Sequence, residues 1–241
     1  MAAEIGRSFS AVKTLASSMH GMKSAGQPPS RDQLDAMARE VLTRNTEFIG
    51  TYSIWEPNAL DGRDAEFVNK TPGYDATGRY IAYWNRGAGT IAVEPLVDYE
   101  KAGANDWYDI PRKTQRDALI EPYIYPVAGK DVLMTTLASP IVVNGQFVGM
   151  AGADRPLQGL RDRVARMEPV PGSRVALLSS GGLYVASQDR SKLAKKADDL
   201  PAEALKAIAE GRAHRHEDAQ GWMHLFQPVH VQEGAVSYTH L

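Results

Sequence analysis

The 241-residue sequence predicts an α+β chain: helices first, then a series of antiparallel strands, then a second and smaller series of strands and helices. Three observations predict this. Ile5, Phe9, Val12, Ala16 and Met19 recur at spacings of four, three, four and three, the stripe of an amphipathic helix. Val132 to Val143 and Phe147 to Ala153 alternate and are rich in β-branched residues, and Asn144-Gly145 joins them as a two-residue turn in which both positions need φ > 0. Beyond Pro169 and Pro171, hairpin, helix and strand signals recur on a smaller scale.

The elements follow in order. Residues 4 to 25 read as a helix broken by Gly26, Pro28 and Pro29. Ser30 caps a second helix, Gln33 completes its capping box, and Leu34, Met37, Ala38, Val41 and Leu42 form its apolar stripe. Phe48 to Trp55 is strand-like. The acids Asp61 and Asp64 lie in a loop whose oxygen spacing matches no calcium loop, so turn and capping chemistry accounts for them. Tyr80 to Arg86 and Thr90 to Val97 read as a hairpin around Gly87-Ala88-Gly89. Alternation sends Tyr83 and Trp84 to opposite faces, so one of the two lines any pocket there.

Asp106, Trp107 and Tyr108 open a short helix running to Gln115. A strand from Leu119 to Tyr125 follows, with Tyr123 and Tyr125 on one face. Asp154 ends the Phe147–Ala153 strand as a cap or turn residue, or faces back into a pocket. Pro156 starts a connecting helix carrying Leu157, Leu160, Val164 and Met167. Strands at 175–178 and 183–186, helical segments at 191–197 and 201–210, and strands at 213–219 and 222–231 complete the second series.

Composition narrows the function. A net charge of −2 offers no nucleic-acid surface, and zero cysteines exclude disulfides, thiolate metal sites and cysteine nucleophiles. No apolar run approaches the roughly 18 residues of a membrane span. His214, His216, Glu217 and Asp218 cluster on one strand, where an exposed polar strand explains them better than a metal. No acid pair or nucleophile sits in a catalytic setting, so the expectation is a non-enzyme without cofactor or metal.

One constellation stands out. Tyr83 or Trp84, Trp107, Tyr108, Tyr123 and Tyr125 supply flat π faces, and Asp106 and Asp154 supply negative charge. Such a box suits a cationic or nitrogen-rich ligand; the same residues also make an ordinary aromatic core with two capping acids.

The runs WYDIPRKTQRDALIEPYIYPVAGKDVLMTTLASPI and GQFVGMAGAD, with YSIWEPNALDGRDAEF and YIAYWNRGAG upstream and SRVALLSSGGLYVASQDRSKL downstream, resemble the double Cache ligand-binding domain of bacterial methyl-accepting chemotaxis proteins. The resemblance implies two PAS-like modules, each an antiparallel sheet flanked by helices, on a long N-terminal helix. It divides the chain into stalk helices at 1–47, a membrane-distal, ligand-binding module at 48–156 and a truncated membrane-proximal module at 157–236. Residues 237–241 fit the strand pattern poorly and read as a non-native tail.

The resemblance further implies an extracytoplasmic sensor, a homodimer through the N-terminal helix, and a full-length protein anchored in the inner membrane with a cytoplasmic signalling domain. This chain would then be its periplasmic fragment. A histidine kinase or cyclic-dinucleotide enzyme could carry the same sensor. Family members that bind amino acids grip the α-carboxylate with an arginine two positions before the tryptophan, where this chain has Asn105. They carry an acid where it has Tyr125. Asp154, which in the family faces an ammonium, is kept. Amines, polyamines or purine-like bases are therefore expected over α-amino acids, with Arg79 or Arg86 keeping organic acids as an alternative.

Overall fold

The computed structural model describes residues 2–232 and 235–240, and the side chains of residues 4–229. Helix α1 (Ala2–Ser24) buries Ile5, Phe9, Val12, Ala16 and Met19, as the spacing requires. Helix α2 (Arg31–Arg44) starts at Ser30 with the full capping box: the Ser30 hydroxyl accepts from the Gln33 N–H, and the Gln33 side chain accepts from the Ser30 N–H. It buries Leu34, Ala38 and Leu42.

Strands β1 (Gly50–Trp55), β2 (Ala82–Asn85) and β3 (Ala92–Pro95) follow, then helix α3 (Asp106–Thr114). The single strand expected at Leu119–Tyr125 is two: β4 (Ala118–Leu119) and β5 (Tyr123–Val127), separated around Pro122, which has no N–H for a ladder. The long pair β6 (Lys130–Val143) and β7 (Gln146–Pro156) turns at Asn144-Gly145, with φ of 52° and 76°. Asp154 does not end this strand: β7 runs on to Pro156. The strands along the order β3-β2-β1-β7-β6-β4 pair antiparallel, and β5 pairs with β6.

The second series comprises α4 (Gln158–Val164), β8 (Ala176–Ser179), β9 (Tyr184–Ser187), α5 (Ala202–Ala209), β10 (His214–Glu217), β11 (Met223–Gln232) and β12 (Ala235–His240). Its sheet has the order β10-β11-β12-β8-β9. The helix expected at 191–197 is only a 3₁₀ turn, Arg190–Lys192, capped by Asp189. Residues 7–120 and 125–156 form one compact unit, called here the first module. Residues 1–6, 121–124 and 157–241 form the other, the second module. Among the described residues no helix is long and apolar enough to cross a membrane.

Within the first module, α2 packs on β1 and β2 from one side of the sheet. Thr51 donates to the Ala38 carbonyl, and both Tyr80 and the Trp84 indole donate to one oxygen of Asp35. Arg31, at the start of α2, holds the loop that follows β1. Its guanidinium pairs with Asp61 and Asp64, donates to the Gly78 carbonyl, and lies 4.0 Å from the Phe67 ring centre. The acids of that loop are thus committed to a buried arginine. Gly78 sits at φ 68°, and a Cβ there would come within 2.0 Å of the Asp64 carbonyl oxygen. Arg31→Met leaves Asp64 buried without its counter-charge. The expected cost is about 3–5 kcal/mol in denaturant unfolding, whereas loss of a surface ion pair would cost under about 1 kcal/mol.

Candidate functional site

The opposite face of the first sheet carries the aromatic residues. Strand register builds it. Tyr52 pairs with Tyr83 on one side and Gly152 on the other, and Gly50 pairs with Asn85 and with Asp154. Gly50 and Gly152 have no side chain, and each gap is filled from the neighbouring strand. A Cβ on Gly50 would lie 2.3 Å from the Tyr83 hydroxyl oxygen, and one on Gly152 would lie 2.3 Å from Cζ of Tyr52. Tyr83 therefore lies across β1 with its buried hydroxyl beside Asp154 on β7; Tyr52 lies across β7 in the same way.

Four rings close on one another edge to face. Tyr52 meets Tyr83 at 5.8 Å and Trp107 at 5.5 Å, and Tyr125 meets Tyr83 at 5.9 Å and Trp107 at 6.0 Å, with interplanar angles from 70° to 84°. This is the preferred geometry for quadrupolar rings. The Trp107 side chain is 1% exposed, and its indole N–H has no hydrogen-bond acceptor among the described residues.

Asp154 lies at the edge of this cluster, 2% exposed. It accepts a hydrogen bond from the hydroxyl of Thr136, its partner on β6, and the Tyr83 hydroxyl lies beside it. No basic side chain forms an ion pair with it among the described residues. Burial raises its pKa from 3.8 to about 6, against the opposing pull of the two hydroxyls. Tyr125 bonds through its hydroxyl to both the N–H and the carbonyl of Val97. Its own pKa is raised by burial and further by the charges of Asp154, Glu94 and Asp98. The rings thus sit in a negative field.

The basic residues that could have offset it are committed elsewhere. Arg79 donates to the Trp55 carbonyl and the Tyr108 hydroxyl, and Arg86 donates to the Leu42 carbonyl at the end of α2.

Of the residues singled out in the sequence, the structure gathers Tyr83, Trp107, Tyr125 and Asp154. Tyr108 stacks beside Trp107 at 6.0 Å, but its hydroxyl serves Arg79 and Glu56. Tyr123 shares the face of Tyr125 on β5 and is half-buried. Two expectations are corrected. Trp84 faces α2, because β2 alternates and Tyr83 has taken the other side. Asp106 is exposed at the first turn of α3, where a negative charge suits the helix terminus. The sequence reading missed Tyr52, Thr136 and the two glycines. A Gly-x-Tyr alternation in β1 was the available signal, but it acquires meaning only once β7 is known to lie alongside. The His214–His216 segment forms no metal site: among the described residues no group of three or more His, Cys, Asp or Glu is placed to hold one.

The family model for the methyl-accepting chemotaxis protein-like first PDC sensor domain matches residues 34–162, more than half the chain. The chain belongs to this family. The sensor domain is 31% identical over 224 residues to the methyl-accepting chemotaxis protein TlpQ of Pseudomonas aeruginosa, covering 85% of this chain but 31% of that protein's length. Among solved structures it resembles the extracellular domain mmHK1S-Z2, assigned to a histidine kinase, with 29% identity, a TM-score of 0.85, and coverage of 99% of this chain and 90% of that one. It also resembles methyl-accepting chemotaxis protein X, with 25% identity, a TM-score of 0.81, and the same 99% and 90% coverage. The double-module α+β architecture is that of these extracytoplasmic sensors, and the family is one of receptors rather than enzymes.

The buried carboxyl of this sensor domain makes its stability depend on pH. The folded-state pKa is the raised one, so between about pH 4 and pH 6 the folded chain binds a proton that the unfolded chain releases. Acid therefore stabilises the fold through this group, and ionisation above that window costs about 3 kcal/mol. Thermal melts of the native chain and Asp154→Asn, compared from pH 7.5 down to pH 4, should diverge by about that amount in favour of the native chain. Parallel profiles would show that Asp154 titrates normally.

Proposed function

We propose that the first module is the ligand-binding site of a bacterial chemoreceptor and that its ligand is a small nitrogen-containing cation: an amine, a polyamine or a protonated purine-like base. The observation that carries this reading is the Asp154 carboxyl, buried beside four aromatic rings, hydrogen-bonded by the Thr136 hydroxyl and, among the described residues, in no ion pair. An ammonium group would supply the missing counter-charge, hold the carboxyl in its ionised form and lie against π faces that attract cations. An α-amino or organic acid fits less well, because Arg79 is engaged by Trp55 and Tyr108 and Arg86 is turned to the Leu42 carbonyl of α2.

In this reading the site works by differential affinity. Ligand stabilises one arrangement of the rings, and a ligand with equal affinity for both arrangements signals nothing. The full-length receptor is membrane-anchored with this segment in the periplasm, and two copies associate along α1. A groove between α1 and α2, lined by Ala11, Thr14, Leu15, Met37 and Val41, offers a low-relief surface for that association. The likeness to a histidine-kinase extracellular domain supports a kinase output as the second reading.

A thermal-shift screen over amines, purines, amino acids and organic acids, followed by calorimetry, tests the ligand class. Asp154→Asn should weaken a bound amine by roughly 2–5 kcal/mol. Amine affinity in the native chain should fall as pH drops through about 6, where the carboxyl takes up its proton. An amine that binds equally well to Asp154→Asn, or a screen in which only carboxylates bind, would overturn the assignment. Trp107→Ala should lower affinity while cooperative melting persists; loss of cooperative melting would mark Trp107 as core alone.

A further inference from the structure

The second module contains a cavity of about 540 Å³, the size of small-molecule sites. Its floor is apolar and buried: Val175, Tyr184 and Leu200. Three large apolar side chains stand exposed around it, Val170 at 62%, Trp222 at 52% and Met223 at 51%. Apolar surface concentrated at an opening, rather than scattered, is what a binding mouth looks like.

The charges that line the cavity decide what it would hold. Asp199 is paired with the Lys192 ammonium at 2.6 Å and accepts from the Tyr184 hydroxyl at 3.1 Å. Asp218 pairs with His224 at 2.9 Å and accepts from the N–H groups of Gln220 and Trp222. Asp189 accepts from the N–H and hydroxyl of Ser191. Each carboxylate is therefore occupied, and so is Lys192. Arg174 differs: among the described residues it forms no ion pair, and its guanidinium lies over the Trp222 ring, 5.7 Å from the centroid. A guanidinium laid on an indole keeps its planar fork of donors open to an acceptor of matching geometry, and a carboxylate is that acceptor.

We propose that this cavity is a second ligand site, specific for a small carboxylate with a flat apolar body. The carboxylate is gripped by Arg174, the flat body lies along Trp222, and the remainder reaches toward Val175 and Leu200. The two modules would then read opposite charges. This inference stands apart from the amine reading of the first module, since none of its residues is shared.

Trp222 gives a direct readout, because Trp55 and Trp107 are 1% exposed and Trp84 is half-buried. The chain is titrated with benzoate, phenylacetate, acetate and benzylamine, followed by tryptophan emission and by calorimetry. Benzoate or phenylacetate should give a saturable emission change with one-to-one stoichiometry. Acetate should bind more weakly for want of a flat body, and benzylamine should leave Trp222 unchanged. Arg174→Gln should lower the affinity for the aromatic carboxylate by roughly tenfold or more at unchanged melting temperature. Trp222→Leu should abolish the emission change and weaken the calorimetric signal, and Asp154→Asn should alter neither. The proposal is overturned if neither aromatic carboxylate binds, if Arg174→Gln binds them as well as the native chain, or if Asp154→Asn removes the binding.

Discussion

A carboxyl group held out of water is the constraint on which the first module turns. Asp154 sits in the middle of a sheet, where a charge has no solvent and, among the described residues, no basic partner. Its neighbours are adapted to that cost. Thr136 brings a hydroxyl hydrogen to it, and the Tyr83 hydroxyl reaches its side because Gly50 leaves the intervening strand bare. The same device at Gly152 lets Tyr52 lie flat over β7. The small residues of β1 and β7 are thus part of the site, although none of their atoms would be chosen from chemistry alone.

Arginines play the reverse role and are spent on architecture. Arg31 binds the loop after β1 to the start of α2 through two carboxylates and an aromatic ring. Arg79 and Arg86 satisfy carbonyls at Trp55 and Leu42. Arg31 and Arg79 are themselves buried, and their guanidinium groups are spent on these partners rather than on Asp154.

Local signals were legible in the sequence wherever one residue type has one physical use. Asn144-Gly145 marked its turn, Ser30 and Gln33 their capping box, and the spacing of Ile5 to Met19 its helix. Trp107, Tyr125 and Asp154 were picked out as site residues, and the fold places them together with Tyr83. What failed was whatever depends on a partner distant in sequence. Whether Tyr83 or Trp84 faces the rings is settled by where α2 lies, and Tyr52 gained its role from Gly152, a hundred residues on. Asp61 and Asp64 read from the sequence as turn and capping acids, because Arg31, which they bind, lies far earlier in the chain. The helix expected at 191–197 shrank to a 3₁₀ turn, while Tyr184 exchanges backbone hydrogen bonds with Ala194 and Lys195 just beyond it.

Strand β2 has a property that follows from its pleat. Tyr83 and Trp84 are adjacent residues with opposite allegiances, one beside the buried acid and the other hydrogen-bonded to Asp35 of α2. Successive side chains of a strand stand on opposite faces, so these four residues of backbone tie the surroundings of the buried acid on one face of the sheet to helix α2 on the other.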